Sequence, residues 1–287
     1  MTDVDHPVDG EGWRALFAGL DAAREVLGRR LVSAYALGSL AHGGFSPEAS
    51  DVDLAVIVDG MEADPASSMN LVRQSVADRL ATPLAARLSV FWSSWAELGL
   101  ERPRGRFPLV DRIDLADTGV CIAGEDRRSE LRLPFGEDRR AALVVEGAEL
   151  MVGKLINSET EALIRDPRRL VAASCREVTK LVLFPVRFLY TLETGRADGN
   201  APAVRWYESR RGVPAARLAA AALEWRSRGL DRSATPRLLE AELGPLYGEL
   251  ISAYALALPK YGRADLAGVL SACALRLGLL GRDRLSP

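Results

Sequence analysis

Two aspartates separated by one residue stand at the start of an apolar run. Asp51 and Asp53 are followed by Leu-Ala-Val-Ile-Val, which ends at residue 58. Side chains alternate between the two faces of a strand, so both carboxylates are expected on the same face. Two adjacent carboxylates repel each other, and such a pair commonly holds a cation. Because carboxylate oxygens are ligands that Mg²⁺ prefers, the pair predicts a magnesium site at the beginning of a strand.

A turn rich in small residues precedes the aspartates. Gly38 and Ser39 begin it, and Gly43 and Gly44 continue it. The missing side chain of Gly38 lets a ligand approach the backbone closely, and the turn offers backbone N–H groups and the Ser39 hydroxyl. Beside a magnesium site, such a turn suits the phosphates of a nucleoside triphosphate. The structural alternative is a turn residue at Ser39 and a pair of capping aspartates, and it would be preferred if either feature stood alone.

Composition excludes several classes of protein. The chain has 287 residues, a formal net charge of −2, three cysteines without CxxC spacing and two histidines. This balance argues against broad nucleic-acid binding, a disulfide framework and a zinc site, and it favours the cytoplasm. No apolar run reaches the roughly 18–20 residues of a membrane span, and the acidic start does not resemble a signal peptide.

Hydrophobic periodicity predicts an α+β fold. The N-terminal part combines helices with strands, and helical periodicity dominates from about residue 137 to the end. We therefore expect an N-terminal domain over residues 1–134, with a mixed sheet and helices. A helical bundle would follow over residues 135–287, with a substrate cleft between the two.

The individual elements are predicted as follows. Helices are expected at 13–28 and 69–80, strands at 31–37, 51–58 and 87–93, and short β or mixed segments at 110–115 and 120–123. In the second half, helices are expected at 170–194, 214–225, 238–258 and 265–280. Pro185 should kink or split the first of these, because proline removes a helical hydrogen bond.

On the helix predicted at 170–194, Lys180 and Arg187 are seven residues apart and share a face. They are candidate triphosphate contacts, and a solvated or salt-bridged face is the equally weighted alternative.

The motif as a whole resembles that of a known superfamily. Gly38-Ser39, then Gly43-Gly44, Pro47 and Ser50-Asp51-Val52-Asp53-Leu54 resembles the nucleotidyltransferase signature of the DNA polymerase β superfamily. The spacing is most similar to aminoglycoside adenylyltransferases of the streptomycin/spectinomycin type. A second segment, residues 187–196 with Ala203 and Trp206 downstream, looks like the helical half of those enzymes. The resemblance covers most of the chain.

This resemblance implies an antibiotic-resistance type of transferase. Such an enzyme is Mg-dependent and moves AMP from ATP to a hydroxyl of a small molecule, with an aminoglycoside as one candidate acceptor. Asp51 and Asp53 would be the catalytic metal ligands, and Gly38 and Ser39 would bind the phosphates. Nucleic acid and membranes are not expected partners.

One position departs from the pattern of the family. Those enzymes carry a third carboxylate on the strand after the intervening helix, and the matching position here is Ser89, which cannot act as a carboxylate base or ligand. Glu97, Asp111 and Asp114 lie further along the chain, and any of them is a candidate replacement. A second interpretation is therefore a nucleotidyltransferase-fold protein with weak or lost catalysis that binds nucleotide or regulates. A third interpretation, with a protein as acceptor, is disfavoured by the large helical half.

Overall fold

The chain divides into two compact units. The computed structural model describes residues 10–60, 65–231 and 233–279. Unit boundaries fall at Met1–Leu133 and Pro134–Pro287. The first unit combines a four-stranded mixed sheet with helices and the second is helical, which confirms the predicted α+β class. In the part of the chain that is described, no helix is both long enough and apolar enough to cross a membrane.

The first unit is built around its sheet. Its elements are α1 (Glu11–Leu27), β1 (Leu31–Leu37), α2 (Gly38–His42), β2 (Val52–Val58), α3 (Pro65–Arg79), β3 (Leu88–Ser93), α4 (Trp95–Leu98), α5 (Leu109–Asp117) and β4 (Val120–Gly124). The strand order is β3-β2-β1-β4. The central strand β2 runs antiparallel to β1 and parallel to β3. In this register Asp53 lies opposite Leu37 on one side and opposite Ser89 on the other.

Different helices cover the two faces of the sheet. On one face, buried side chains of α1 and α3 pack with the β2 residues Val52, Leu54, Val56 and Val58. On the other face, Ala55 and Ile57 pack with Leu98 of α4 and Leu115 of α5. Strand alternation places Asp53 on the same side as Ala55 and Ile57. The face that carries Asp53 is therefore the face covered by α4 and α5.

One element of the first unit differs from its prediction. The sequence predicts a short β or mixed segment at 110–115, but these residues lie within helix α5. The buried residues Leu109 and Ile113 are four apart, so they share the helix side that faces the core. In so short an apolar run, periodicity alone does not separate a strand from a helix. Strand β4, in contrast, forms where the sequence predicts a β segment.

The second unit consists of helices around its own apolar core. They are α6 (Gly136–Leu150), α7 (Ser158–Arg165), α8 (Cys175–Thr194), α9 (Asn200–Ser209), α10 (Ala216–Arg228), α11 (Thr235–Ala257) and α12 (Ala264–Leu277). Helix α8 begins at Cys175 rather than at residue 170, because Ser174 and Glu177 form a capping box there. The predicted end of the last helix, residue 280, lies outside the described residues.

Helix α8 continues through Pro185 and is not split, and a kink at Pro185 stays a prediction. Proline has no N–H, so it cannot donate to the carbonyl of Leu181 four residues earlier. The hydroxyl of Tyr247 in α11 donates a hydrogen bond to that carbonyl at 3.1 Å instead. The carbonyl of Leu181 loses its helical donor because of Pro185, and a side chain from a neighbouring helix supplies the donor instead.

Candidate active site

The two aspartates lie at the beginning of β2. Asp51 immediately precedes the strand and Asp53 is its second residue, and both are half-buried. Val52 and Leu54, which alternate with them, are fully buried. This alternation places both carboxylates on the same side of the sheet.

The Gly38 turn packs directly against one of these carboxylates. Gly38 follows β1 and begins the short helix α2, with Ser39 as the next residue. Its φ angle is +60°, a conformation that glycine adopts without steric cost. A Cβ atom added to Gly38 would lie 2.5 Å from Oδ2 of Asp53. The absence of a side chain therefore brings the turn backbone against the carboxylate of Asp53.

A third carboxylate reaches the same glycine from helix α5. The Gly38 N–H donates a hydrogen bond to Oδ2 of Asp114 at 2.6 Å. The hydroxyl of Thr118 donates to Oδ1 of the same side chain. Of the three carboxylates that the sequence offers as replacements, Asp114 is thus fixed at the turn. Asp53 and Asp114 both contact Gly38, which lies 76 residues before Asp114 in the chain.

The other two candidates lie elsewhere in the first unit. Glu97 accepts hydrogen bonds from the backbone N–H of Arg104 at 2.9 Å and from its Nε at 2.8 Å. The amide first and the guanidinium second hold the pKa of Glu97 below its usual value. Glu97 therefore holds the loop that follows α4. Asp111 lies in the first turn of α5, three residues before Asp114.

A guanidinium lies beside Ser89, on the opposite side of Asp53 from the turn. Ser89 is the direct neighbour of Asp53 across the parallel β2–β3 pair, about 5 Å away between backbones. Nη2 of Arg106 donates to Oγ of Ser89 at 3.0 Å, and Nη1 donates to the carbonyl of Val90 at 2.7 Å. The guanidinium carbon lies 4.7 Å from the centre of the Phe91 ring. Arg106 is not among the residues that the sequence predicts for the site, since nothing in its local sequence distinguishes it from other loop arginines.

The chemistry of the aspartate pair fits magnesium in the presence of a nucleotide. Among the described residues, no group of three or more His, Cys, Asp or Glu side chains is placed to hold a metal ion. Magnesium bound with a nucleotide, however, takes one or two carboxylates from the protein, and phosphates and water complete its shell. Asp51 and Asp53 offer only oxygen ligands, and the Asp53 carboxylate faces the turn proposed for the phosphates. The pair is sufficient for that arrangement.

The remaining predicted site residues belong to the second unit. Lys180 and Arg187 are both half-buried residues of α8. The ammonium group of Lys180 lies 5.7 Å from the centre of the Phe184 ring. Their assignment to a nucleotide stays a prediction.

Comparisons with known proteins identify the fold. No protein-family model matches the chain, and no curated protein matches its sequence. Among solved structures, the chain is similar to spectinomycin adenyltransferase AAD(9) from Enterococcus faecialis, which was solved with ATP and spectinomycin. The TM-score is 0.56 at 15% sequence identity, over 80% of this chain and 98% of that one. The likeness shows that the chain has a nucleotidyltransferase-like fold.

Proposed function

We propose that the protein is a Mg-dependent nucleotidyltransferase that moves AMP from ATP to a hydroxyl of a small molecule. One observation carries the proposal: the backbone of the Gly38 turn packs against the Asp53 carboxylate, with Asp51 on the same side of the sheet. A phosphate-binding turn and a carboxylate pair are thereby adjacent. The structurally similar adenyltransferase was solved with ATP, which supports the choice of nucleotide.

In the proposed reaction, the acceptor oxygen forms a bond to the α-phosphorus of ATP. The bond from that phosphorus to the oxygen bridging to the β-phosphate breaks, and pyrophosphate leaves with the electron pair. Magnesium, when bound, neutralises negative charge on the phosphoryl oxygens. Asp51 and Asp53 would hold the metal, and the Ser39 hydroxyl and the turn backbone would bind phosphate oxygens. Asp114 holds the turn in place through the Gly38 N–H.

Ser89 bears on the rate of this reaction. A side chain that accepts the hydroxyl proton typically accelerates such a step by roughly 10²–10⁴-fold. Serine is not such a base, so in this proposal the proton passes to water and turnover is slow.

The second candidate function is a nucleotide-binding or regulatory module without turnover. It is favoured by the Ser89–Arg106 pair, which places a cation beside the position where the resemblance implies a carboxylate.

Pyrophosphate release tests the proposal. The protein is incubated with ATP, Mg²⁺ and a panel of hydroxyl acceptors that includes an aminoglycoside. We expect Asp51→Asn and Asp53→Asn each to lower the rate by about 10²–10³-fold, because each change removes charge stabilisation worth several kcal/mol. Asp78→Asn is the matched control, since Asp78 is an exposed residue of α3, which packs on the other face of the sheet.

Calorimetry with ATP and Mg²⁺ separates the two candidate functions. Binding of ATP without pyrophosphate release from any acceptor would favour the binding module. Turnover that is unchanged in both aspartate variants would contradict the proposed site. Absence of ATP binding to the wild-type protein would contradict both functions.

A further inference from the structure

Arg106 is held rigidly at the β3 side of Asp53. Its backbone exchanges two hydrogen bonds with Trp92 of β3, at 3.0 and 3.1 Å. Its guanidinium donates to Ser89 and Val90 and lies over the ring of Phe91. Both the main chain and the charged end of Arg106 are thus fixed to the edge strand of the sheet.

The fixed guanidinium retains donors for a ligand. A guanidinium has five N–H groups in a planar fork, and two of them are used by Ser89 and Val90. Arg106 is exposed, and within the described ranges no carboxylate forms an ion pair with it. Three N–H groups of a preorganised cation therefore remain for an external oxyanion, the ligand that guanidinium geometry matches best.

The position of Arg106 favours contact with the hydroxyl acceptor over contact with the leaving phosphates of ATP. The Gly38 turn follows β1, on one side of Asp53, and Arg106 lies beside β3, on the other side. In an in-line transfer, the attacking oxygen and the leaving pyrophosphate lie on opposite sides of the phosphorus. If the turn binds the leaving phosphates and the α-phosphorus lies beside Asp53, between the turn and Arg106, the acceptor approaches from the side of Arg106.

We propose that Arg106 binds a carboxylate or phosphate group of the acceptor, so that the acceptor is an anionic hydroxyl compound. This inference rests on the proposed function. It disfavours a polycationic aminoglycoside, because the positive charge of such an acceptor would meet the guanidinium. Arg106 is then a specificity-determining residue, and Ser89 is the residue that positions it.

A series of sugars that differ in charge tests the inference. Glucosamine, glucose, glucuronate and glucose 6-phosphate are titrated calorimetrically into the full-length protein with Mg²⁺ and a non-hydrolysable ATP analogue. We expect the two anionic sugars to bind at least about tenfold tighter than glucose, as charge-assisted hydrogen bonds predict. In Arg106→Gln this preference should disappear, and in Arg106→Lys part of it should remain.

The matched control is Arg102→Gln, which removes the same charge from an exposed residue of the same loop. It should leave the preference for anions unchanged. Equal binding of glucose and the anionic sugars by the wild-type protein would overturn the inference. So would an Arg106→Gln variant that loses affinity for the ATP analogue, because Arg106 would then contact the nucleotide.

The same variants distinguish failure of the inference from failure of the proposed function. Anion binding that depends on Arg106, without pyrophosphate release from any acceptor, would support the anion site and contradict only the transferase. Turnover of a cationic acceptor that is unaffected by Arg106→Gln would support the transferase and contradict only the anion site.

Discussion

On the β1 side of Asp53, the backbone N–H of Gly38 donates a hydrogen bond to the carboxylate of Asp114. On the β3 side, in contrast, the guanidinium of Arg106 donates to the Ser89 hydroxyl and the Val90 carbonyl. Asp114 supplies the negative charge on the first side, and Arg106 supplies the positive charge on the second. The two sides therefore differ in how each would hold an anion: the first needs the magnesium ion that Asp51 and Asp53 would bind, whereas the guanidinium of Arg106 needs no metal. We assign the first to the nucleotide phosphates and the second to an anionic acceptor.

Both sides depend on a glycine that packs without a side chain, but against different atoms. A Cβ atom on Gly105 would lie 2.2 Å from the backbone oxygen of Trp92, whereas one on Gly38 would meet the side-chain oxygen of Asp53 at 2.5 Å. A carboxylate can rotate away from a new methyl group, and a strand carbonyl cannot. Alanine at position 105 should therefore lower the free energy of unfolding more than alanine at position 38.

Gly105→Ala should produce the largest effect. Its φ angle of +110° is strained for alanine, and relief of the clash would break the Trp92–Arg106 hydrogen bonds. We expect the free energy of unfolding to fall by about 3 kcal/mol, measured by urea unfolding of the full-length chain. Gly60→Ala is the control, since Gly60 has a φ of +71° but nothing within 4 Å of an added Cβ. Equal losses in the two variants would show that the contact with Trp92 contributes nothing.

Gly38→Ala should destabilise the protein less and affect nucleotide chemistry more. We expect a loss of about 1–2 kcal/mol in the free energy of unfolding, mostly from the left-handed backbone. The Asp53 carboxylate would also be displaced, so pyrophosphate release should fall even where the protein remains folded. Gly60→Ala separates these effects, because Gly60 lies outside the turn and has a φ of +71° with nothing within 4 Å of an added Cβ. Pyrophosphate release that falls equally in both variants would contradict a specific contact with Asp53.

The sequence predicts the β1–β2 half of this arrangement well, for a physical reason. The alternation of Asp51, Val52, Asp53 and Leu54 is local, and local periodicity determines which side of a strand each residue occupies. A glycine ahead of the pair likewise predicts a close approach to the backbone, which the sequence assigns to phosphates and the structure shows for the Asp53 carboxylate. Both features can therefore be recognised from the order of the residues alone.

The order of the residues alone does not predict which side chains contact Gly38 and Ser89. Asp114 reaches Gly38 only because 109–117 forms a helix, and this short apolar run is ambiguous between helix and strand. Arg106 reaches Ser89 because Gly105 lets its loop approach β3, a contact across 17 residues of chain. Such contacts arise from tertiary packing, which neither periodicity nor composition encodes.

Asp114→Ala should produce the smallest effect and tests the β1 side directly. It leaves the Gly38 N–H without its carboxylate acceptor, but the group is only partly buried and water can replace it. We therefore expect a loss of about 1 kcal/mol in the free energy of unfolding, below the usual cost of losing a buried charged acceptor. Asp114→Asn keeps an acceptor oxygen and should lose less.

Nucleotide affinity in these two variants then indicates what the negative charge of Asp114 does. If Asp114 only holds the turn, Asp114→Asn should bind ATP with Mg²⁺ as tightly as the wild-type protein or more tightly, because a charge that repels phosphate is gone. Slower pyrophosphate release at unchanged ATP affinity in Asp114→Asn would instead assign the charge to the reaction itself. Asp114 would then serve as the third carboxylate that position 89 lacks, supplied by α5 rather than by β3.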